Sequence, residues 1–254
     1  MEASYTVLGD PSSPARSVLI HSLAMDKEFW RPVAERLKGP VLLYDCAGHG
    51  ASPAPDGPYA LDAFADHLAE LLDHVGWGSA LVAGASMGGC IALAFVGRYP
   101  DRVGALGLVD TTAWYGPDAP RQWEDRAQKA LREGLEGLVD FQVTRWFSEG
   151  FRVEHPEVVA RCVATFLNNE VRSYAATCRM LGAADLRPFL ADVDVPTCVI
   201  VGEEDYATPP VMAEDLHRNI RGSTLTTLKG ARHLTPLERP AEIADQLQKL
   251  ASFA

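Results

Sequence analysis

Ala80-Leu81-Val82-Ala83-Gly84-Ala85-Ser86-Met87-Gly88-Gly89 is the stretch whose reading decides the fold. Residues 80–83 form a short apolar run of strand type, and residues 88–99 have the length and apolar content of a helix that Pro100 stops. Between them stands Gly84-Ala85-Ser86-Met87-Gly88, a Gly-x-Ser-x-Gly at a strand-to-helix turn. So sharp a turn holds Ser86 in strained backbone and leaves no room for side chains two positions to either side, hence the glycines. Amides at the start of the following helix point at the serine, where they stabilise a developing negative charge. A tight loop with an incidental serine would carry the same glycines, so the rest of the chain has to decide between the two readings.

Outward from this turn, apolar runs alternate with amphipathic stretches, the pattern of β-α repeats in a parallel sheet covered on both faces. Strands are expected at residues 17–20, 41–44, 103–109, 197–201 and 224–228. Helices are expected at 27–37, with Phe29, Trp30, Val33 and Leu37 on one face, and at 61–75, 210–219 and 240–250. From about residue 114 to 190 the rhythm is broken by helix-like segments rich in aromatics and arginines, a candidate lid. The expected architecture is α/β, a mostly parallel sheet with helices on both faces and a helical lid insertion, in a single domain over residues 1–254. Ligands of such sheets sit beyond the carboxyl ends of the strands, so the chemistry is sought there.

A serine hydroxyl becomes a strong nucleophile when an imidazole takes its proton. His233 in Gly230-Ala231-Arg232-His233-Leu234 follows the last strand and precedes the closing helix, the right place for that base. Its other nitrogen needs a carboxylate. Asp205, in Val201-Gly202-Glu203-Glu204-Asp205, is the choice, with Asp110 at the end of the strand 103–109 as competitor and otherwise a cap or turn residue. The chain order Ser, Asp, His is the one this architecture uses. Two backbone amides should form the oxyanion hole, that of Met87 and that of Leu23, with His21 and Ser22 shaping the turn. His49 is expected to pin a loop. His67, His74, His155 and His217 have no partner at ligand spacing, so neither a metal nor a cofactor is expected.

Of the 254 residues, 23 are Lys or Arg and 34 are Asp or Glu, a formal charge of -11 that repels phosphate backbones and argues against nucleic acid. The five cysteines lack any Cys-x-x-Cys pair and read as small buried hydrophobes in a reducing cytoplasm. No run reaches membrane-spanning length, and Met1 to Tyr5 lacks the basic start of a secretory signal. A homo-oligomer is left open, since an apolar lid face could bury against a second copy.

Taken together, Gly84-Ala85-Ser86-Met87-Gly88, Asp45-Cys46-Ala47-Gly48-His49-Gly50-Ala51-Ser52, Gly202-Glu203-Glu204-Asp205 and His233 resemble the α/β-hydrolase family over nearly the whole chain. Within it the chain looks most like the 3-oxoadipate enol-lactonases of aromatic catabolism. His21-Ser22-Leu23, Arg145-Trp146-Phe147 and Ala231-Arg232-His233-Leu234 carry that likeness. The resemblance implies a small unsaturated lactone with a free carboxylate as substrate, cleaved by Ser86, Asp205 and His233 with the amides of Leu23 and Met87. Relatives usually open with an additional strand, whereas this chain reads as beginning almost at the second. The stretch from residue 111 to 134 also differs in character.

A carboxylate entering so acidic a protein needs a local cation. The lid offers Arg121, Arg126, Arg132, Arg145, Arg172 and Arg179, each of which could instead lie on a solvated face paired with Glu124, Glu133 or Glu136. Arg145 beside Trp146 is the choice, with Ser22 also assigned to substrate binding; Trp146 and Phe147 read equally as lid core or pocket wall. Rival readings keep the same serine chemistry in a carboxylesterase, a C–C bond hydrolase or a perhydrolase, or retain the fold as a non-catalytic ligand-binding protein.

Overall fold

Short runs of branched and small apolar residues build the sheet: β1 (Tyr5–Leu8), β2 (Ser17–Ile20), β3 (Val41–Tyr44), β4 (Ala80–Ala85), β5 (Val103–Val109), β6 (Thr197–Gly202) and β7 (Thr224–Leu228). These elements come from a computed structural model that describes residues 3–251, leaving Met1 and Glu2 of the opening segment outside it. The strand order is β1-β3-β2-β4-β5-β6-β7, with every neighbouring pair parallel except β1 with β3. β2 through β4 are buried along their whole length, which is why they read as continuous apolar runs rather than as alternating ones.

β1 corrects the expectation that the chain begins at the second strand. Four residues pair Tyr5 with Tyr44 and Leu8 with Val41 at the sheet edge, where Tyr5 and Val7 stay exposed. One alternation of four residues is too short to stand out as a period, so only the pairing partner reveals it.

Residues 27–37 are likewise not one helix. A 3-10 turn at Lys27–Trp30 runs into a four-residue α1 (Arg31–Ala34). Pro32 has no N–H to return to the preceding turn, so the hydrogen-bond ladder is interrupted there. The expected apolar face is nonetheless buried, and the Trp30 indole donates to the Ile20 carbonyl at 2.8 Å, which ties the turn to β2.

Two helices, α2 (Leu61–His74) and α3 (Met87–Arg98), flank β4 in sequence, and α3 packs on β4 and β5. Between β5 and β6 come α4 (Ala119–Glu133), α5 (Val139–Trp146), α6 (Glu149–Glu154), α7 (Pro156–Leu167) and α8 (Val171–Gly182), the helical insertion. α9 (Pro210–Asn219) follows β6, and α10 (Thr235–Glu238) with α11 (Pro240–Leu250) close the chain. No helix among the described residues is long and apolar enough to cross a membrane. All five cysteines are buried and free.

Candidate active site

The chain leaves β2 for β3 on one side and returns past β2 to β4 on the other, so the sheet switches direction between β2 and β4. Ile20 pairs with Gly84 there, which sets the turn after β2 beside the turn after β4. The two come close: a Cβ on Gly88 would lie 2.1 Å from the Ile20 carbonyl oxygen, and one on Gly84 would lie 2.0 Å from that of Gly88. Only glycine fits at either position. Ser86 itself sits at φ 54°, a strained conformation for a residue with a side chain. The Ser86 amide donates to the Val109 carbonyl at 2.9 Å and Thr111 Oγ1 donates to the Ser86 carbonyl at 2.7 Å, so the end of β5 holds the strained turn in place.

Two loops, one after β6 and one after β7, bring the remaining groups. His233 Nε2 lies 2.9 Å from Ser86 Oγ, and its Nδ1 lies 2.8 Å from Asp205 Oδ2. Because a carboxylate can only accept, the Nδ1 proton faces Asp205 and Nε2 is left to accept from the serine hydroxyl. Asp205 is held by three further donors: Ala207 N and Thr208 N on Oδ1 at 2.7 and 3.0 Å, and Thr208 Oγ1 on Oδ2 at 2.9 Å. Thr208 carried no signal in the sequence beyond standing three residues after an acid.

Asp110, the competitor, is wholly buried but faces elsewhere. Its Oδ1 accepts from Gly202 N at 3.0 Å and its Oδ2 from Thr235 N and Thr235 Oγ1 at 3.1 and 2.6 Å. Leu23 follows β2 and lines the same chamber as Ser86, and Met87, next to Ser86, is the first residue of α3. Among the described residues neither backbone amide donates to a protein acceptor, as expected of orphan N–H groups at a helix start and a turn.

A chamber of about 40 Å³ in front of Ser86 and His233 is lined by Ser22, Leu23, Arg145 and Trp146, all four chosen from the sequence. Trp146 is buried as well, edge-on to Phe166, and so serves as both wall and core, whereas Phe147 is fully buried among the inserted helices. An outer cavity of about 610 Å³ adjoins the chamber, and Tyr115, Trp123, Arg126 and Arg145 line both.

Arg126 was only one of six lid arginines in the sequence, yet it has no acid three or four residues away, whereas Arg121 has Asp118 and Asp125. Arg172 and Arg179 lack such an acid as well, so spacing did not single Arg126 out. Arg126 donates to the Tyr174 hydroxyl at 2.6 Å and lies over Trp123, while Arg145 donates to the Tyr206 carbonyl at 2.9 Å and lies over Phe141. Among the described residues neither guanidinium is paired with a carboxylate. Burial, and then the charge of Arg126, lower the pKa of Arg145.

Beneath the chamber, His21 accepts from Cys46 N through Nε2 at 3.0 Å and donates through Nδ1 to the Ser22 carbonyl at 2.8 Å, which shapes the β2 turn. His49 bonds the Ala47 carbonyl at 3.1 Å and packs on His21 at 5.1 Å between ring centroids. Burial, then the neighbouring His21, push His49 down to about 3 from an ordinary 6.5. Below pH 6.5 the unfolded chain therefore takes up a proton that the native state refuses, and stability is lost as pH falls towards 3. Each pH unit removes at most about 1.4 kcal/mol per such group. His49→Gln abolishes this contribution, so the stability gap between wild type and variant should narrow from neutral pH to about pH 5 in urea titrations. A gap that stays constant over that range contradicts the buried neutral imidazole.

Among the described residues no group of three or more His, Cys, Asp or Glu side chains is placed to hold a metal ion.

The family model described as "alpha/beta hydrolase fold" matches residues 18–240. The chain is 31% identical over 239 residues to 3-oxoadipate enol-lactonase 2 of Acinetobacter baylyi, covering 93% of this chain and 88% of that protein. It is 29% identical to a pimeloyl-[acyl-carrier protein] methyl ester esterase of Neisseria meningitidis, over 88% of this chain and 72% of that one. The enol-lactonase of Burkholderia xenovorans superposes with a TM-score of 0.94 at 32% identity, over 98% and 96% of the two chains. A thermophilic esterase of Thermogutta terrifontis, solved with malate bound, does so with 0.91 at 28% identity, over 97% and 92%. With its serine turn at the switch of a mostly parallel sheet and its helical insertion above the strand ends, this chain belongs to the α/β-hydrolase fold family.

Proposed function

We propose that the protein is a serine hydrolase that opens a small carboxylate-bearing enol-lactone of the 3-oxoadipate enol-lactone type, as part of aromatic compound catabolism. The observation that carries the hydrolytic part is the series Asp205 Oδ2, His233 Nδ1, His233 Nε2, Ser86 Oγ at 2.8 and 2.9 Å. Ser86 Oγ attacks the lactone carbonyl as His233 Nε2 takes its proton, and the Leu23 and Met87 amides stabilise the oxyanion. His233 returns the proton to the departing enol oxygen, which leaves as a ketone tautomer. Water, deprotonated by the same imidazole, attacks the acyl carbon, the bond to Ser86 Oγ breaks, and the imidazolium returns the proton to Ser86 Oγ as the acid leaves. Buried free thiols, with Cys162 and Cys198 pushed up to about 12 by burial, fit a cytoplasmic location.

The substrate class rests on Arg126 and Arg145. Two guanidiniums facing one chamber, with no carboxylate of the described residues to pair with, are relieved by an anion arriving with the substrate. The named enol-lactonases and the malate-bound esterase among the similar proteins support the same chemistry.

The test is steady-state kinetics on an enol-lactone carboxylate and on a neutral aryl acetate, with a vinylogous diketone and peracid formation as further assays. Arg145→Ala and Arg126→Ala should each raise KM for the carboxylate substrate by roughly 10- to 100-fold and leave the aryl acetate nearly unchanged. Equal effects on both substrates would refute the anionic substrate and leave a carboxylesterase. Turnover of the diketone or peracid formation alone points to the C–C hydrolase or perhydrolase, and no turnover at all to a binding protein.

A further inference from the structure

The end of β5 is where the three loops of the site are joined. Val109 accepts from the Ser86 amide and Thr111 Oγ1 donates to the Ser86 carbonyl, at 2.9 and 2.7 Å. Between these two residues, Asp110 reaches the other two loops: Gly202 stands three residues before Asp205, and Thr235 two residues after His233. A segment of three residues therefore contacts the backbone next to the candidate nucleophile, acid and base.

We propose that Asp110 is a positioning residue for the reaction, whose carboxyl group, bound to Gly202 N, Thr235 N and Thr235 Oγ1, sets the distance between Asp205 and His233. This rests on the Ser86–His233–Asp205 reading above.

Its backbone shows the strain of a placed residue. Of the three non-glycine residues with positive φ among those described, one is Ser86 and another is Asp110, at φ 45°. The Asp110 amide donates to the Ile200 carbonyl at 2.8 Å, so backbone and side chain both grip the β6 end. A wholly buried acid is costly to retain, and the same volume could be filled by a neutral residue if packing were all that mattered. Burial first, and then the Asp205 charge, push the Asp110 carboxyl well above its ordinary range, against the pull of the Thr235 and Gly202 donors. In that unfavourable place its two oxygens accept on opposite sides, one from Gly202 N and the other from Thr235.

Asp110→Asn separates positioning from bulk packing. The two donors of Thr235 keep the amide oxygen on their side, which turns the NH2 group towards the Gly202 N–H and breaks the β6 anchor. A displacement of about 1 Å between acid and base should lower kcat by about 100-fold while KM stays nearly constant. Thr235→Val, which loses one donor, should lower kcat less, and Thr235→Ser, which restores the hydroxyl, should recover it.

Activities are expressed per folded molecule, from the circular-dichroism melt and from complete labelling by a serine-directed fluorophosphonate. The downfield Nδ1–H resonance of His233 is followed by NMR in each variant, and should shift or broaden in Asp110→Asn. The proposal is overturned if kcat per folded molecule stays within about twofold of wild type, if Thr235→Ser fails to recover what Thr235→Val loses, or if the resonance is unmoved. Ser86→Ala assayed in parallel distinguishes the two levels: retained turnover there overturns the reading beneath, whatever Asp110→Asn does.

Discussion

Ser86→Ala should bring kcat down by about a millionfold, because removal of the nucleophile from such a trio costs about as much as removal of the whole trio. The residual rate expected is that of binding and of the proposed Leu23 and Met87 oxyanion donors, which the substitution does not remove. The fold should survive. Ser86 Oγ has His233 Nε2 as its partner, so the variant loses one hydrogen bond of about 1 kcal/mol, and alanine meets the same backbone strain at φ 54° that serine does. The measurement is steady-state turnover together with a thermal melt. Native-like melting with lost turnover is the expected pair. Native-like melting with wild-type turnover would place the chemistry elsewhere.

Asp205→Asn should cost about 10⁴-fold in kcat with little change in KM, through the tautomer of His233 rather than through charge alone. Oδ1 accepts from the amides of Ala207 and Thr208, so an asparagine at this position points its carbonyl oxygen at them and its NH2 at His233 Nδ1. Nδ1 then becomes the acceptor, the proton moves to Nε2, and Nε2 can no longer accept from the serine hydroxyl. Asparagine has nearly the volume of aspartate and keeps the two amide bonds, so stability should change little. Steady-state kinetics on a neutral ester, where substrate charge plays no part, gives the cleanest reading. A loss below tenfold would show that Asp205 does not orient the imidazole.

Much of this site lay in the sequence because turn chemistry is local. Gly84 and Gly88 are required by contacts within a few residues or with one neighbouring turn, and the chain order of Ser86, Asp205 and His233 follows from the strands that precede them. Less legible were elements without a period of their own. β1 is four residues long and exists through pairing with β3, and the segment at 27–37 divides between Trp30 and Arg31 and ends its α-helix at Ala34 although its apolar spacing is helical. Apolar spacing reports which residues are buried, and it says little about the hydrogen-bond ladder that connects them.

From its own order of residues the chain determined a buried parallel sheet, a serine on a strained turn and an acid and a histidine after later strands, since each depends on short-range sterics and periodicity. The sequence preferred Asp205 to Asp110 and tertiary structure places Asp205, not Asp110, at His233, while tertiary structure alone decided that Arg126 joins Arg145 at the chamber. Those choices turn on side-chain directions and distances of about 3 Å between residues far apart in sequence, which spacing along the chain does not encode.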